Sequence, residues 1–415
     1  MNDLSLNAAL KRDETDPLAA KKSEFMLPDD IIYLDGNSLG PLTKSAAERL
    51  HNSIHKEWGD GLIRSWNDAR WIDLPRKVGA RIAPLIGAQP DNVVMADSTS
   101  VNLFKLLSAA VDLRPGRLRI VTERDNFPTD NYIAEGVIRS KALGHRLIYA
   151  DNPEQLAGLI DDSVAVVLLT HVNYRNGHMH DMAALTAAAH DAGAIIIWDL
   201  AHSAGAVPLC LDRLDVDFAI GCSYKYLNGG PGAPAFLYVS DRHIGQVTQP
   251  LSGWFAHRSP FSFEAEYEPA DDINQFLCGT SPILSAVALD AALSVWQDVD
   301  IQQVREKSLA LTDYFIALVE MRCEGSGLKL ITPTDHAIRG SQVSLTHPDG
   351  GYAIMAALIA NGVIGDFRSP DILRFGFTPL YTSFTDVWKA VDILARIMDS
   401  GEWNQPQFHA RKTVT

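Results

Sequence analysis

Residues 92–240 alternate between short apolar runs and amphipathic stretches, a pattern that predicts strands separated by helices. Residues 164–170 are almost wholly apolar, which is typical of a parallel strand buried on both faces. The alternation therefore predicts an α/β domain with a mostly parallel sheet between helices. The predicted strands are 93–95, 118–122, 146–149, 164–170, 194–199, 216–220 and 236–239, and the predicted helices are 101–111, 132–143, 153–160 and 182–191.

Outside this region the pattern changes. Helical spacing predicts helices at 44–57 and 74–86, joined by a loop over 58–67, and a long helix pair at 283–298 and 302–323. Beyond that pair, short strands mix with helices, which predicts a smaller α+β domain. The predicted parts are 1–44, an N-terminal arm and segment joining the small domain; 45–285, a large domain; and 286–415, the small C-terminal domain.

Composition narrows the function. The chain has 415 residues, 47% of them hydrophobic, and a formal charge of -15, which would repel nucleic acid and anionic lipid. Its four cysteines are widely spaced and fit a reduced cytoplasmic protein. No exported leader and no run of about 18 apolar residues is visible, so we expect neither export nor a membrane span. His171, His178 and His180 have loop-like spacing without a carboxylate pair, and no metal site is predicted.

Two polar side chains follow neighbouring predicted strands. Asp199 ends the strand 194–199, and Lys225 follows the strand 216–220, just before the glycine-rich turn 228–232. A lysine in this position is commonly a solvated charge. However, parallel strands place their carboxyl ends at one edge, so Asp199 and Lys225 are expected to face one crevice. Such a pair suits pyridoxal phosphate, because the amine bonds to the aldehyde and the carboxylate keeps the pyridine nitrogen protonated.

Three further segments keep two interpretations each. Hydroxyl residues at 98–100 begin a predicted helix, where they either cap it or bind an anion such as phosphate. Trp58 and Trp66 lie in a predicted loop, as packing anchors or as the wall of an aromatic site. The Gly-Asn-Ser segment at 36–38 is either a plain turn or part of a site.

The assembled motifs resemble the kynureninase family, whose members are pyridoxal-phosphate enzymes with the aspartate aminotransferase fold, fold type I. The likeness runs from about residue 31 to residue 381. Its most specific parts are the motifs at 33–40 and 374–381. The matching stretches are Tyr-Leu-Asp-Gly-Asn-Ser-Leu-Gly at 33–40, Gly-Leu-Ile-Arg-Ser-Trp at 61–66, Asn-Phe-Pro-Thr-Asp at 126–130, Asp-Leu-Ala-His-Ser-Ala-Gly at 199–205, Ser-Tyr-Lys-Tyr-Leu-Asn-Gly-Gly at 223–230, Leu-Ser-Gly-Trp at 251–254 and Arg-Phe-Gly-Phe-Thr-Pro-Leu-Tyr at 374–381.

The resemblance implies a role for each matched residue. Lys225 would bond to the cofactor, Asp199 would pair with the pyridine nitrogen, and Tyr224 would hold the phosphate and relay a proton. Arg374 would clamp the substrate carboxylate, with Ser38 and Trp66 beside the aromatic end of the substrate. The remaining cofactor contacts would be Thr99 and Ser100 at the phosphate, Phe127 and Ala201 on the two faces of the ring, His202, Asp130 and Thr170 nearby, and Trp254 and Thr280 from a partner subunit.

The implied reaction is hydrolytic cleavage of L-kynurenine to anthranilate and L-alanine by a homodimer, within the kynurenine pathway of tryptophan breakdown. The Ser-Trp pair at 65–66 resembles the bacterial form of the family, which prefers L-kynurenine to 3-hydroxykynurenine, although the Thr280 position varies within the family. The alternatives are a cysteine desulfurase-like lyase or an aminotransferase of the same fold, and a non-catalytic pyridoxal-phosphate-binding protein. The desulfurase would need a reactive thiol near the carboxyl terminus, and residues 324–415 contain no cysteine.

Overall fold

The computed structural model describes residues 3–411. Within that range, no helix is sufficiently long and apolar to cross a membrane. The helices are α1 (Leu6–Glu14), α2 (Lys44–Asn52), α3 (Ser65–Asp68), α4 (Leu74–Ile82), α5 (Thr99–Asp112), α6 (Pro128–Lys141), α7 (Leu156–Leu159), α8 (Met182–Asp191), α9 (Ile283–Ala292), α10 (Ile301–Arg322), α11 (Gly351–Ala360), α12 (Phe384–Ser400) and α13 (Pro406–His409). The strands are β1 (Ile32–Tyr33), β2 (Val93–Met95), β3 (Arg119–Glu123), β4 (Arg146–Ala150), β5 (Val164–Thr170), β6 (Ile195–Asp199), β7 (Phe218–Gly221), β8 (Phe236–Val239), β9 (Lys329–Leu330), β10 (Gln342–Thr346), β11 (Val363–Ile364), β12 (Asp366–Arg368) and β13 (Ile372–Gly376).

The chain divides into two compact units. The larger unit comprises residues 46–173 and 180–294 and contains one sheet with the strand order β2-β8-β7-β6-β5-β3-β4. Neighbouring strands from β7 to β4 run parallel, whereas β8 runs antiparallel to both of its neighbours. Every residue of β5, β6 and β7 is buried. The predicted α/β class with a mostly parallel sheet is therefore confirmed.

The smaller unit is assembled from three separate segments: the chain up to Ser45, residues 174–179, and the chain from Val295 onward. Four strands form an antiparallel sheet in the order β12-β13-β10-β9, and β1 pairs in parallel with β11. The core of this unit includes Phe315, whose ring lies 5.0 Å from that of Phe375 and 5.3 Å from that of Phe377. Helix α10 therefore packs its apolar face toward the strand that carries Phe375.

The N-terminal segment, predicted as an arm lying on another surface, folds into this smaller unit. The carboxylate of Asp13 in α1 accepts hydrogen bonds from the backbone N–H groups of Phe384 and Thr385, at 2.7 and 3.0 Å. A negative charge at this position stabilises the first turn of α12. The indole N–H of Trp388 donates to the carbonyl of Leu4 and fixes the same contact at 3.1 Å.

The loop prediction over residues 58–67 was wrong. Helix α2 continues into a π-helical stretch over residues 53–61, and α3 follows a short turn later. The Glu57 carboxylate organises this stretch, since it accepts hydrogen bonds from Ser53 at 2.5 Å and from the Trp71 indole at 3.0 Å. Hydrogen bonds between polar side chains leave no apolar periodicity in the sequence, which explains why the pattern did not predict a helical segment here.

Helix α4 lies against β2 at a contact that only glycine permits. A methyl group on Gly79 would lie 2.2 Å from the carbonyl oxygen of Val93 and 2.8 Å from Cα of Val94. Both obstacles are backbone atoms of a buried strand, so neither can turn aside. By contrast, a methyl group on Gly136, in α6, would meet nothing within 4 Å.

We expect Gly79→Ala to lower the free energy of unfolding by about 1–3 kcal/mol, the usual cost of overpacking a core. The matched control Gly136→Ala should raise it by up to about 1 kcal/mol, because alanine is the better helix former. Urea titration of both variants followed by circular dichroism measures the two effects. Equal shifts in the same direction would contradict the close packing of α4 on β2.

Candidate functional site

The carboxyl ends of β5, β6 and β7 lie side by side at one edge of the sheet. Thr170 is the last residue of β5 and pairs in register with Asp199, the last residue of β6, which pairs with Ile220 of β7. The chain leaves β7 at Gly221 and reaches Lys225 four residues later. Parallel strands thus bring polar side chains from distant parts of the sequence to one edge, where α/β proteins bind ligands.

A tight loop holds Lys225 at this edge. The N–H of Gly229 donates to the carbonyl of Ser223 at 2.9 Å, and the N–H of Asn228 donates to the carbonyl of Lys225, also at 2.9 Å. A side chain at 229 would lie 2.9 Å from both Ala233 and a methyl group of Leu289. Glycine is needed here because the loop is pressed against the rest of the protein.

The ammonium group of Lys225 lies among aromatic rings. Its Nζ is 2.9 Å from Nε2 of His202, 6.0 Å from the ring centre of Phe127 and 5.8 Å from the ring centre of Tyr224. His202 is buried, whereas Phe127 is 40% exposed. An exposed phenyl ring beside a partly buried amine offers a flat apolar face on which a planar ligand can stack.

Two buried carboxyl groups, those of Asp130 and Asp199, lie at this edge of the sheet. Burial raises the pKa of Asp130 well above its usual value, and the neighbouring Asp199 raises it further. Burial also raises the pKa of Asp199, but the N–H of Ala201, at 2.7 Å, and the charge of Lys225 oppose that rise. Asp130 therefore keeps its proton more firmly and donates it to Asp199, which is the better anion of the pair.

Thr170 and Asn126 support this acid pair. The Thr170 hydroxyl lies 3.2 Å from Oδ2 of Asp130 and also hydrogen-bonds to Oδ1 of Asn126. The Asn126 amide in turn donates to the hydroxyl of Thr122 at 3.1 Å. In the sequence, Asn126 is distinguished only as the first residue of the motif at 126–130. Its supporting role is visible only once the fold brings β5 beside the loop that follows β3.

Helix α5 starts next to the end of β2. The predicted start at Val101 was two residues late, because Ser98 is the capping residue and accepts from the N–H of Val101 at 3.3 Å. Thr99 and Ser100 occupy the first turn and are partly exposed. First-turn N–H groups have no acceptor inside a helix, so this turn can bind an anion.

The smaller unit contains a separate buried cluster around Arg374. Its guanidinium donates from Nε to Asp366 Oδ1 at 2.8 Å and from Nη2 to Asp366 Oδ2 at 2.5 Å. Nη2 also donates to the Ser38 hydroxyl at 2.8 Å, and Nη1 donates to the Tyr174 carbonyl at 2.7 Å. The sequence singled out Arg374 and Ser38 but missed Asp366, which reads there as an ordinary residue beside a short strand.

The remaining predicted residues lie in the larger unit. Ala201 is buried, and its carbonyl lies 3.7 Å from the Cys222 sulfur. Trp66 is partly buried and packs edge-on against Trp71 and Phe255, with ring centres 6.2 and 6.4 Å apart. Thr280 is exposed.

Trp254 belongs to a small aromatic group on the surface. It is 38% exposed and lies 5.7 Å from the ring of Phe261 and 6.4 Å from the ring of Phe263, which are themselves 61% and 77% exposed. A cluster of large exposed aromatic side chains is unusual on a monomer surface and is typical of a protein contact.

The histidines of the segment after β5 have other partners than a metal. Nδ1 of His171 lies 2.8 Å from the Ser203 hydroxyl, and Nε2 of His180 lies 2.8 Å from the Glu123 carboxylate. Within residues 3–411, no group of three or more His, Cys, Asp or Glu side chains is placed to hold a metal ion.

Comparison with known proteins gives a consistent relationship. A family model described as the kynureninase C-terminal domain matches residues 304–394. Kynureninase of Pseudomonas fluorescens is 54% identical over 413 residues, which covers 99% of both chains. Kynureninase of Burkholderia mallei (strain SAVP1) is 54% identical over 411 residues, which covers 98% of this chain and 99% of the relative.

Solved structures share the fold at lower identity. A cysteine desulfurase of Thermococcus onnurineus covers 92% of this chain and 98% of its own, with a TM-score of 0.76 and 18% identity. The cysteine desulfurase CsdA of Escherichia coli gives the same coverages and identity with a TM-score of 0.77. These likenesses concern the fold alone. They confirm the fold class predicted from the sequence, that of the pyridoxal-phosphate enzymes of fold type I.

The acid pair generates a pH-dependent prediction for the protein freed of any cofactor. Because the folded-state pKa of Asp130 is raised, its contribution to stability is present below the pKa of the unfolded chain, about 4, and is lost as the pH rises toward the folded pKa. Asparagine keeps a donor for Asp199 but has no proton to lose.

We therefore expect Asp130→Asn to become increasingly more stable than the parent protein between pH 5 and pH 8, measured by urea unfolding at each pH. The exposed control Asp30→Asn should track the parent protein at every pH. A stability gap between Asp130→Asn and the parent that stays constant with pH would show that Asp130 does not hold its proton in the folded state.

Proposed function

The chain belongs to the kynureninase family, and from this premise we propose that it binds pyridoxal phosphate at Lys225 and hydrolyses L-kynurenine to anthranilate and L-alanine. The observation that carries the proposal is the meeting of Lys225 and the buried Asp199 at the carboxyl ends of adjacent parallel strands. Identity of 54% to kynureninases over nearly the whole chain favours this reaction among those that the fold supports.

The residues at the sheet edge fit pyridoxal phosphate. When bound, this cofactor supplies an aldehyde that bonds to amines and a protonated ring that accepts electrons from the substrate. Lys225 would hold the aldehyde, and Asp199, with its charge favoured by Ala201 N–H and Lys225, would hold the ring nitrogen. The exposed face of Phe127 suits stacking on the ring. Two further groups of contacts complete the site: Ala201 and His202 beside the ring, and Thr99, Ser100 and Tyr224 at the phosphate.

Asp130 and Thr170 would act behind this first set of contacts. Burial and the neighbouring Asp199 keep a proton on Asp130 and leave the charge on Asp199, while the Thr170 hydroxyl, 3.2 Å from Asp130 Oδ2, fixes the position of that carboxyl group. A carboxylate with a fixed charge and a fixed position keeps the ring nitrogen protonated.

Arg374 would bind the α-carboxylate of the substrate. Its planar guanidinium can donate two parallel hydrogen bonds to a carboxylate, which a lysine cannot do. Ser38 and Trp66 remain the proposed neighbours of the aromatic end of the substrate. The hydroxyl of Ser38 also accepts a hydrogen bond from the Arg374 guanidinium, so it would lie next to the bound carboxylate as well.

The residues then divide the proton transfers between them. With the substrate amine in place of its own, the Nζ of Lys225 would remove the proton from the α carbon and return a proton to that carbon before L-alanine leaves. Water adds to the γ carbonyl, and cleavage of the Cβ–Cγ bond releases anthranilate and leaves an electron pair on the β carbon. The hydroxyl of Tyr224 protonates that carbon before L-alanine leaves. One water is consumed, and its oxygen becomes part of the anthranilate carboxylate.

Assembly, ring preference and compartment are part of the same proposal. The exposed aromatic group around Trp254 supports a homodimer in which Trp254 and Thr280 complete the partner's site. The Ser-Trp pair at 65–66 favours L-kynurenine over 3-hydroxykynurenine. All four cysteines are free thiols, which suits the reducing cytoplasm.

A desulfurase-like reaction is less well supported, although the fold is shared. That chemistry requires a reactive thiolate, whereas burial raises the pKa of Cys323 to about 11 and also raises the pKa of Cys222. Residues 324–411 contain no cysteine at all. An aminotransferase would leave the cofactor as an amine after one turnover, which a spectrum distinguishes, and a non-catalytic binding protein would show no turnover.

We expect the purified protein, loaded with pyridoxal phosphate, to be yellow and to convert L-kynurenine into fluorescent anthranilate. Lys225→Ala should lose both the yellow absorbance band and all turnover, because the covalent attachment and the base are removed together. The exposed control Lys56→Ala should keep both. A colourless protein after cofactor loading, or a yellow one inert toward L-kynurenine and 3-hydroxykynurenine, would refute the proposed function.

Tyr224→Phe should lower kcat by about 10²- to 10⁴-fold, since it removes one general acid, while the yellow cofactor band remains. Stopped-flow fluorescence of anthranilate separates cleavage from the later release of alanine. Tyr132→Phe, at a tyrosine that is 67% exposed, is the matched control and should behave as the parent enzyme. An unchanged kcat in Tyr224→Phe would assign the proton transfer to another group.

A further inference from the structure

The cluster around Arg374 contains more acid than one ion pair requires. Asp366 holds Arg374 through two parallel hydrogen bonds and also contacts Arg368, with Nη2 of Arg368 2.7 Å from Oδ2 of Asp366. Arg374 and Asp366 are 1% and 3% exposed. A second carboxyl group, Asp35, follows β1 and lies close enough to interact electrostatically with Asp366 and both arginines. Two acids and two arginines therefore lie together, with Arg374 and Asp366 buried, Asp35 partly buried and the Arg368 side chain 39% exposed.

Strand register explains why these groups meet. Asp366 in β12 pairs directly with Arg374 in β13, and Asp35 bridges to Gly376, two residues further along β13. Residues two apart on a strand project to the same face, so Asp35 stands in the row next to Arg374. The Ser38 hydroxyl donates to Asp366 Oδ2 at 2.8 Å, and the backbone N–H of Ser38 donates to the carbonyl of Asp35 at 2.9 Å.

Arg374 has little donor capacity to spare. Of its five N–H groups, Nε donates to Asp366, Nη2 donates to Asp366 and Ser38, and Nη1 donates to the Tyr174 carbonyl. One N–H on Nη1 remains after these bonds are counted among the described residues. A substrate carboxylate that binds through two N–H groups must therefore displace one of these acceptors, and the Ser38 hydroxyl is the neutral side-chain acceptor of the set.

Charge decides how well the cluster accepts an anion. With Asp35 ionised, the two arginines and two carboxylates sum to zero, and a substrate carboxylate would enter a site without net charge. With Asp35 protonated, the sum is +1, which matches one carboxylate. Burying an unmatched charge costs several kcal/mol in general, so the difference between the two states is large enough to control binding.

We propose that Asp35 takes up a proton when the α-carboxylate of the substrate binds to Arg374, and that Asp366 is the positioning residue that fixes the guanidinium for this contact. The inference rests on the proposed function, in which Arg374 binds that carboxylate. It adds a residue, Asp35, whose protonation state sets the affinity. Neither aspartate touches the reacting atoms.

The groups that face Asp35 make its titration relevant near neutral pH. Burial and the charge of Asp366 raise the pKa of Asp35 to about 7, against the lowering effects of Ser38, Arg374 and Arg368. The remaining titratable neighbour, Tyr33, stays neutral in this range, because burial and the two aspartates raise its pKa. Asp35 is therefore the group whose charge changes between pH 6 and pH 8 within this cluster.

The sign of the coupling follows directly. As the pH rises through the pKa of Asp35, its proton is lost, a negative charge appears beside Arg374, and an anionic ligand binds more weakly. Bound anion stabilises the protonated form of Asp35, so binding at pH 8 should draw a proton from solution. At pH 6 the proton is already present, and binding should take up almost none.

A suitable probe is 4-oxo-4-phenylbutanoate, which keeps a carboxylate, a γ ketone and an aromatic ring but has no amine. It cannot bond to the cofactor aldehyde, and its own charge is constant above pH 6. Titration calorimetry on the cofactor-loaded enzyme should show the Kd rising about tenfold between pH 6 and pH 8. Repeating the pH 8 titration in two buffers of different ionisation heat should reveal uptake of close to one proton per site.

The Asp35→Asn variant should bind the probe with a Kd that changes less than about twofold over this range, at a value close to that of the parent enzyme at pH 6. Asp35→Glu, which restores a titrating group, should restore the slope. The exposed control Asp30→Asn should keep the parent profile. A merely structural role for Asp35 would lower affinity equally at all pH values and leave the slope unchanged.

Two results would overturn the inference. One is a parent enzyme whose probe affinity is independent of pH with no proton uptake at pH 8, a measurement that needs no variant and holds even if Asp35→Asn does not fold. The other is an Asp35→Asn variant that keeps the parent slope. Failure of the proposed function is recognised separately, as the absence of anthranilate formation by the same parent preparation.

Discussion

A carboxylate buried at the end of a strand stays ionised only if fixed donors and a nearby positive charge offset the loss of water. Asp199 meets that condition through the N–H of Ala201 and the charge of Lys225. The positions of this N–H group and of this charge both depend on β6 and β7 running parallel in the observed register. The position of the amine, the second acid Asp130 and its support by Thr170 all follow from this single arrangement at the sheet edge.

The smaller unit solves the same problem in a different way. Asp366 and Arg374 are almost completely buried and neutralise each other through two parallel hydrogen bonds. Replacing water around such a pair requires that every remaining donor find an acceptor, and the Tyr174 carbonyl and Ser38 hydroxyl supply two of them. Each unit thus keeps charged groups in its interior by surrounding them with fixed dipoles.

Much of the fold could be predicted from the sequence, because burial on both faces leaves uninterrupted apolar runs. The bounds of β2, β5 and β8 agree with the runs that predicted them. The antiparallel direction of β8 left no trace in the apolar pattern, because a run of buried residues reads the same in either direction.

The chemistry of the site was predictable to the extent that it stands at strand ends next to glycine-rich turns. Asp199 ends a strand of the large sheet and Lys225 precedes such a turn, whereas Asp35 and Asp366 lie in or beside short strands far apart in the sequence. Their meeting depends on the pairing of β12 with β13 and on a single bridge to Gly376. Pairing between strands far apart in the sequence is set by tertiary packing, so an isolated carboxyl residue in a short strand gives no sign of its partner.

The smaller unit draws on both ends of the chain and on residues 174–179, while the larger unit needs nothing beyond residue 294. During synthesis the ribosome delivers the first 45 residues long before the strands and helices with which they pack exist. The larger unit can therefore complete its sheet first, while the first 45 residues remain without their packing partners. The last 120 or so residues then complete the smaller unit. The smaller unit, whose segments are separated by the larger one in the sequence, therefore cannot be moved into another protein by cutting the gene at two places.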